Sequence, residues 1–367
     1  MMSRSAMTEE LRRSVGRVTD PELRRSVADL GSLREVQVGR RGDVMVRLAV
    51  ATADGEQADA LVAAVRSAAQ GIEGTRRVEV VLDSMNDAER AAARAALPPH
   101  VPDASPARAI YAVASGKGGV GKSSIAANLA VALAARGQRV GLIDADVWGY
   151  SVPQLFAVRR SPSVLDGKML PVTAHGVQLM SLGFFVEDNE PVVWRGPMLH
   201  KALTQFVEDT CWDDLDVLLL DLPPGTGDVT LSVLELLPEA SLVAVTTPQP
   251  AARVVASRVG AMAREVRMPV SGVIENMSEL VCPQCSAHTA LFGSGGGRQL
   301  ADELGCDLLG QVPLDVQLRD AGDHGTPVVA SHPDSHAARA LTTIADRLRP
   351  VRRGLAGRSL GLTPVAR

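Results

Sequence analysis

The segment "ASGKGGVGKSS", residues 114–124, constrains this chain more than any other. It follows an apolar run from Ala109 to Val113 and holds four glycines and two lysines in eleven positions. The spacing from Gly116 to Ser123 fits G-x-x-x-x-G-K-[ST], a loop whose backbone N–H groups wrap a phosphate that side chains would crowd out. The helical pattern "KSSIAANLAVALAARG" comes next, so the unpaired N–H groups at its start add partial positive charge where phosphates would lie. Such a loop needs a strand before it and a helix after it, which commits the surrounding chain to an α/β fold.

The sequence downstream repeats that alternation. Apolar runs "AIYAVAS", "RVGLIDAD", "VQLMSLG", "DVLLLDLP", "SLVAVTTP", "VSGVIENM" and "DLLGQVP" are separated by helical patterns. Continuous apolar runs mark strands buried on both faces, and their alternation with helices marks a mostly parallel sheet. Hydrophobic residues make up 46% and aromatics 3%, so the core is built from Ala, Val and Leu. The expectation is a P-loop NTPase domain over residues 109–350, its sheet flanked by helices.

Upstream, residues 1–97 read helix, strand, strand, helix, strand, helix, with "GRRGD" as the hairpin turn between the first two strands. This is a small α+β domain preceding the α/β one. "PPHVPDASP" has four prolines in nine residues and opens a Pro-rich linker over 98–108. Residues 351–367 form a basic tail with glycine, proline and no clear period, expected to be flexible.

The formal charge of −4 argues against a dedicated nucleic-acid binder. The opening "MMSRSAMTEELRRS" has charges throughout and no apolar centre, and no apolar run approaches the ~20 residues of a membrane span. A cytoplasmic protein with no nucleic-acid and no membrane partner is expected.

Within the loop, Gly116, Lys117, Gly118, Gly119, Val120, Gly121, Lys122, Ser123 and Ser124 form the nucleotide-binding set. Lys122 would bridge the β- and γ-phosphates, and Ser123 would give its hydroxyl to Mg²⁺. "RVGLIDADVWG" places Asp144 and Asp146 at the end of a second strand, and strand carboxyl ends face the ligand crevice of an open parallel sheet. The two flank Ala145, so in extended chain they point the same way, near the phosphates and the metal. Asp221 in "VLLLDLPPGTGD" has the form of a Walker B residue that holds Mg²⁺. Gly225, Gly227 and Asp228 follow it as a switch whose backbone can track the γ-phosphate. The chain has no N-K-x-D motif for guanine, which favours adenine and ATP, and Asn276 at another strand end is a candidate base contact.

Cys282 and Cys285 in "CPQC" bring two thiols to one metal centre, but two ligands fill half of a Cys₄ site. Three other readings stand beside a shared metal: a redox pair, although the motif follows a late strand; zinc, with His288 and Cys306 nearby in sequence; and an inert pair. Cys211 and Cys306 read as small buried core residues.

With Lys117 included, "KGGVGKSS" resembles the deviant P-loop of the MinD/ParA class, which implies a homodimer in which Lys117 reaches the neighbour's nucleotide. Within that class, "VASGKGGVGKSS", "GLIDADVWGYSVP", "EPVVWRGPMLHKAL", "DLPPGTGDVTLSV", "TTPQ", "ENMSELVCPQC", "LFGSGGGRQLADELG" and "VPLD" occur in order and resemble the Mrp/ApbC iron–sulfur cluster carrier ATPases. The resemblance implies slow Mg-ATP hydrolysis and a [4Fe–4S] cluster shared by Cys282 and Cys285 of two subunits. It also implies delivery to apo iron–sulfur proteins, and contact with the cluster-assembly machinery. By the same resemblance Asp146 positions or activates the attacking water and Lys117 neutralises charge. "TDPELRRSVADLG" and "VEVVLDSM" are similar to the PaaD/SufT-like domain such carriers often bear. Two departures stand out. Tyr150 replaces the usual proline of "GPSxP", and "AVATADGEQADAL" stands where related domains have "TTPGCPL", so the N-terminal cysteine is missing. That domain is therefore read as a docking or regulatory module. A different class stands as the alternative, a MinD/ParA-like positioning ATPase that switches DNA or membrane binding, in which Cys282 and Cys285 bind zinc or are structural and take no part in the switch.

Overall fold

The computed structural model describes residues 4–39, 41–53, 55–97, 105–146, 149, 151–186, 196–225, 230, 233, 236–265, 268–282, 284–285 and 287–349. Gly227, Asp228, Tyr150, most of the proline-rich segment and the basic tail lie outside them.

The N-terminal unit follows the order read from its sequence. Helix α1 (Arg4–Gly16) precedes β1 (Leu33–Val38) and β2 (Asp43–Val50), which pair antiparallel. Helix α2 (Glu56–Gln70) then crosses over to β3 (Arg77–Ser84), which pairs β2 in parallel, and α3 (Asp87–Ala96) ends the unit. Asn86 caps α3 by accepting from the Glu89 N–H while the Glu89 carboxylate accepts from the Asn86 N–H, so two otherwise orphaned donors are satisfied. Leu11, Val15, Val46, Leu48 and Val65 are sealed between α1, α2 and the sheet.

The larger unit is a nine-stranded sheet. Its inner strands are β4 (Ala107–Ser115), β5 (Val140–Asp144), β9 (Val177–Ser181), β10 (Leu215–Asp221), β11 (Ser241–Thr246), β12 (Val270–Val281) and β14 (Leu308–Leu314). All of these pair in parallel, in the order β14-β12-β11-β4-β10-β5-β9. Each of the seven apolar runs marked in the sequence supplies one of these strands. The antiparallel parts are at the margins: β8 (Val172–Ala174) beside β9, and β13 (His288–Thr289) folded back on the end of β12. A separate ribbon, β6 (Ser163–Leu165) with β7 (Lys168–Leu170), stands off the sheet.

Helices cover both faces. Helix α4 (Lys122–Ala134) is so apolar that Ile125 through Leu133 are all buried, packed on one face with the C-terminal helix over His336–Arg347. Leu199, Leu203 and Phe206, from the helix over Gly196–Glu208, cover the other face with Ile143, Met180 and Leu218. This two-sided burial is what continuous apolar strands require.

The two units meet through the β6–β7 ribbon. Leu165 and Leu170 pack among Leu23, Leu30, Met85 and Leu97, with Cys211 against the same cluster. Arg25 Nη2 reaches Asp213 Oδ1 at 3.0 Å, and the Thr52 and Ser163 hydroxyls lie 3.2 Å apart. Among the described residues no helix is long and apolar enough to cross a membrane.

Candidate nucleotide site and cysteine hairpin

Strands β4, β10 and β5 lie side by side in register, with Asp221 paired to Val113 on one side and Asp144 on the other. Their carboxyl ends therefore bring the P-loop and both carboxylates to one crevice, as the strand order demands. The loop leaves β4 after Ser115, whose hydroxyl donates to the Lys117 carbonyl at 3.0 Å. Gly119 and Gly121 take φ of 78° and 80°, left-handed values that a side chain rarely allows. Gly118 and Gly119 are exposed, and a Cβ on either would meet nothing within 4 Å, so the loop is open on the side a phosphate would approach.

Lys122 opens α4 and is 6% exposed. Its Nζ donates to Asp221 Oδ1 at 2.5 Å and to Ser123 Oγ at 3.2 Å, and lies 3.5 Å from Asp146 Oδ2. Burial raises the Asp221 pKa and the Lys122 charge opposes that rise. The second oxygen of Asp221, Oδ2, is buried with no hydrogen-bond partner. An orphaned carboxylate oxygen in a site that also holds the Ser123 hydroxyl is a donor set that fits Mg²⁺, a hard cation bound by oxygen.

Asp144 ends its strand next to Asp221 and is tied to the chain around it. Strand β5 ends at Asp144, and the Asp146 N–H turns back to donate to Asp144 Oδ1 at 3.1 Å. Oδ2 accepts from Ser181 Oγ at 3.0 Å and from the Val152 N–H at 3.3 Å. Asp144 is fully buried, and its pKa is raised by desolvation and then by the neighbouring Asp221. Its oxygens fasten the chain on either side of the Asp146 turn, in a place where the Asp221 and Lys122 charges act on it.

Asn276, read from sequence as a base contact, is 3% exposed and lies behind the loop, its Nδ2 donating to the Val120 carbonyl at 2.9 Å. In this arrangement it supports the P-loop. Lys117 Nζ donates to Gln249 Oε1 at 3.1 Å, an anchor within the same chain. The Gly225 N–H donates to the Ser115 carbonyl at 2.8 Å, which ties the start of the switch segment to the start of the P-loop. Sequence reasoning misses Gln249, Ser181 and Glu275. Gln249 ends the quoted "TTPQ", so its signal is present, whereas nothing local marks Ser181 or the buried Glu275, which accepts from the Gly297 N–H and Gln311 Nε2.

The cysteine pair sits on the far end of β12. Leu280 pairs with Thr289 and Val281 with His288, and the Cys282 N–H donates to the Ala287 carbonyl at 2.9 Å, closing a short hairpin. Cys285 is exposed and Cys282 half-buried. The N–H groups of Cys285 and Gln284 point at the Cys282 sulfur and hold its thiol below the usual range. Turns of this kind stabilise thiolates, the form that binds metal. His288 Nδ1 lies 2.9 Å from Glu279 Oε1, and among the described residues no group of three or more His, Cys, Asp or Glu side chains is placed to hold a metal. Cys306 is packed with Val273 and Leu300, its thiol pushed up to about 11 by burial, and Cys211 is raised likewise.

The profile of the NUBPL iron-transfer P-loop NTPases, a ParA group, matches residues 107–349. The chain belongs to this family. Residues 8–82 match the profile of the iron–sulfur cluster assembly proteins. As relatives, the NUBPL-type chain has an "iron-sulfur cluster carrier protein" of Mycobacterium tuberculosis, 47% identical over 97% of each chain, and one of Deinococcus radiodurans, 41% identical over 93% of this chain and 95% of that one. Among solved structures, a nucleotide-binding protein of Archaeoglobus fulgidus in complex with ADP is 35% identical with a TM-score of 0.54, covering 60% of this chain and 87% of its own. The Pyrococcus furiosus cell-division ATPase MinD, 22% identical with a TM-score of 0.51 over 65% of this chain and 98% of its own, shares the fold. For this NUBPL-type chain, a P-loop NTPase fold with a small α+β unit ahead of it is the result.

Proposed function

We propose that this protein is an ATP-hydrolysing carrier that receives a [4Fe–4S] cluster at Cys282 and Cys285, shares it with the same pair of a second copy, and passes it to apo-proteins. The single observation that carries this reading is the hairpin. Two adjacent thiols, one exposed and one half-buried, have no third metal-binding side chain beside them among the described residues. Four thiolates complete the coordination of such a cluster, and a two-fold axis through this hairpin supplies the other two. A zinc site within one chain would need His288, which faces Glu279, or the half-buried Cys306, which packs against Val273 and Leu300. The names carried by the curated relatives agree with the carrier reading.

ATP is the reagent at the other site. Its phosphates would lie along the open side of Gly118 and Gly119 and draw Lys122 away from Asp221 toward the β- and γ-oxygens. Ser123 and Asp221 would hold Mg²⁺, which neutralises charge on the transferring phosphoryl group. Asp146, buried beside Lys122, orients the attacking water. That water's oxygen bonds to the γ-phosphorus as the bond to the bridging oxygen breaks, and ADP departs with the electron pair. Lys117 leaves Gln249 and serves the partner's phosphates once two copies meet. Residues 1–97 are a docking or regulatory module, and residues 109–350 do the chemistry.

The test is anaerobic reconstitution with iron and sulfide, followed by transfer to an apo acceptor that needs a [4Fe–4S] cluster. Cluster uptake with a broad absorption near ~400 nm, lost in Cys282→Ala/Cys285→Ala, and acceptor activation in the presence of ATP are the expected results. Tight zinc on the same cysteines with no cluster uptake would overturn the reading.

A further inference from the structure

The strand that carries Cys282 also touches the P-loop. At Asn276, β12 sends its side chain to the Val120 carbonyl, and Asn276 Oδ1 is buried with no hydrogen-bond partner. The fit depends on Gly121, where a Cβ would collide with Asn276 Nδ2. A side chain on the sheet and a glycine in the loop are therefore matched to each other, although the contact to the loop spans 156 positions of sequence.

Immediately beyond this contact, β12 loses its regularity. Met277 has a φ of +55°, a left-handed value that a residue with a side chain rarely adopts. Pairing to β14 passes from Asn276↔Val312 to Leu280↔Leu314, four steps along β12 against two along β14. Extra residues on one strand make a bulge, which bends the strand and re-aims the chain beyond it. Here the re-aimed segment is the hairpin with Cys282 and Cys285. Strain held at one point between two sites is a place where a displacement at one of them can be taken up.

We infer that Asn276 and the Met277 bulge couple phosphate occupancy of the P-loop to the setting of the Cys282–Cys285 hairpin, with Asn276 as the positioning residue. In the structure Lys122 rests on Asp221. Phosphates draw Lys122 off that carboxylate, the Val120 carbonyl shifts with the loop, and Asn276 carries the displacement into β12. The bulge takes up the change in register and turns the hairpin, which exposes or withdraws the two thiols. The inference rests on the cysteine pair being the cargo site. By reciprocity, a cargo that prefers one setting of the hairpin changes nucleotide affinity by the same factor.

The experiment uses full-length, reduced, cluster-free protein. Iodoacetamide alkylation rates of Cys282 and Cys285 are read by mass spectrometry without nucleotide, with Mg-ADP and with a Mg-bound non-hydrolysable ATP analogue. Light scattering records the number of copies, and a fluorescent nucleotide verifies saturation. In wild type the analogue should change the rates about fivefold or more, the lower range of ordinary allosteric coupling. In Asn276→Ala, saturated at higher nucleotide concentration, and in Met277→Gly, whose nucleotide site is intact, that change should be lost while the analogue still drives the same association. Unchanged rates in wild type, or full nucleotide dependence in both variants, would overturn the coupling. Because no cluster is present, failure here is distinct from failure of the carrier reading, which reconstitution tests.

Discussion

Lys122 lies 6% exposed between the carboxylates of Asp221 and Asp146, whereas Cys285 stands exposed at the tip of a two-pair hairpin with one other thiol beside it. Around the lysine, one chain supplies the charge, the countercharge, the glycines and the buried supports Asp144 and Asn276. Around the cysteine, one chain supplies half of what a tetrathiolate metal centre needs. The contrast is chemical. A phosphate site works by pre-arranged charge in a water-poor crevice, where low dielectric strengthens each contact. In the proposed carrier role the hairpin must give its cargo up, and ligands divided between two copies and open to solvent would allow that.

The contrast can be broken most severely at Lys122. Lys122→Ala should lower ATP turnover by about 10²-fold or more, the scale of losing one charge-stabilising donor. It should also cost roughly 3–5 kcal/mol of stability by leaving Asp221 as an unpaired buried carboxylate. Adding Asp221→Asn should recover most of that stability and none of the turnover, as thermal melts and phosphate release will show. Cluster uptake should be retained in both.

Cys285→Ala cuts the other way. Iron retained after reconstitution should fall to background, while fluorescent-nucleotide affinity, compared between the cluster-free proteins, stays within about twofold. A smaller effect is expected of Gly121→Ala. It places a side chain at a left-handed φ and against Asn276, so denaturant titration should show a loss of about 1–3 kcal/mol, with weakened nucleotide binding. The smallest belongs to His288→Ala. Its ring is 59% exposed and pairs with Glu279, so iron content and melting temperature should be unchanged. A metal site within one chain would instead lose its metal.

Much of this architecture is readable from the residues alone. The P-loop is a local signal, because its glycines, lysine and serine act within nine residues, and the buried parallel strands announce themselves as unbroken apolar runs. At Asp144 the sequence leaves out the turn that follows, because spacing does not reveal it. Two aspartates flanking an alanine share a face in a strand, yet β5 stops at Asp144 and its oxygens are taken by Ser181, Val152 and Asp146 itself. The roles of Asn276 and Gln249 are beyond local reasoning, since each meets the P-loop from more than a hundred residues away. The docking of the small unit on Leu165 and Leu170 is equally hidden, for neither leucine differs in sequence from an ordinary core residue. The switch residues Gly227 and Asp228 lie outside the described residues.

The central claim is that one chain holds half of the cargo site. Native mass spectrometry of the anaerobically reconstituted protein tests it most directly, because it weighs the assembly and its metal together. The account predicts about four irons and four sulfides in a species of two chains. It also predicts that mixing with Cys282→Ala/Cys285→Ala chains gives mixed pairs that carry none. A cluster or a zinc ion held by a single chain would contradict it.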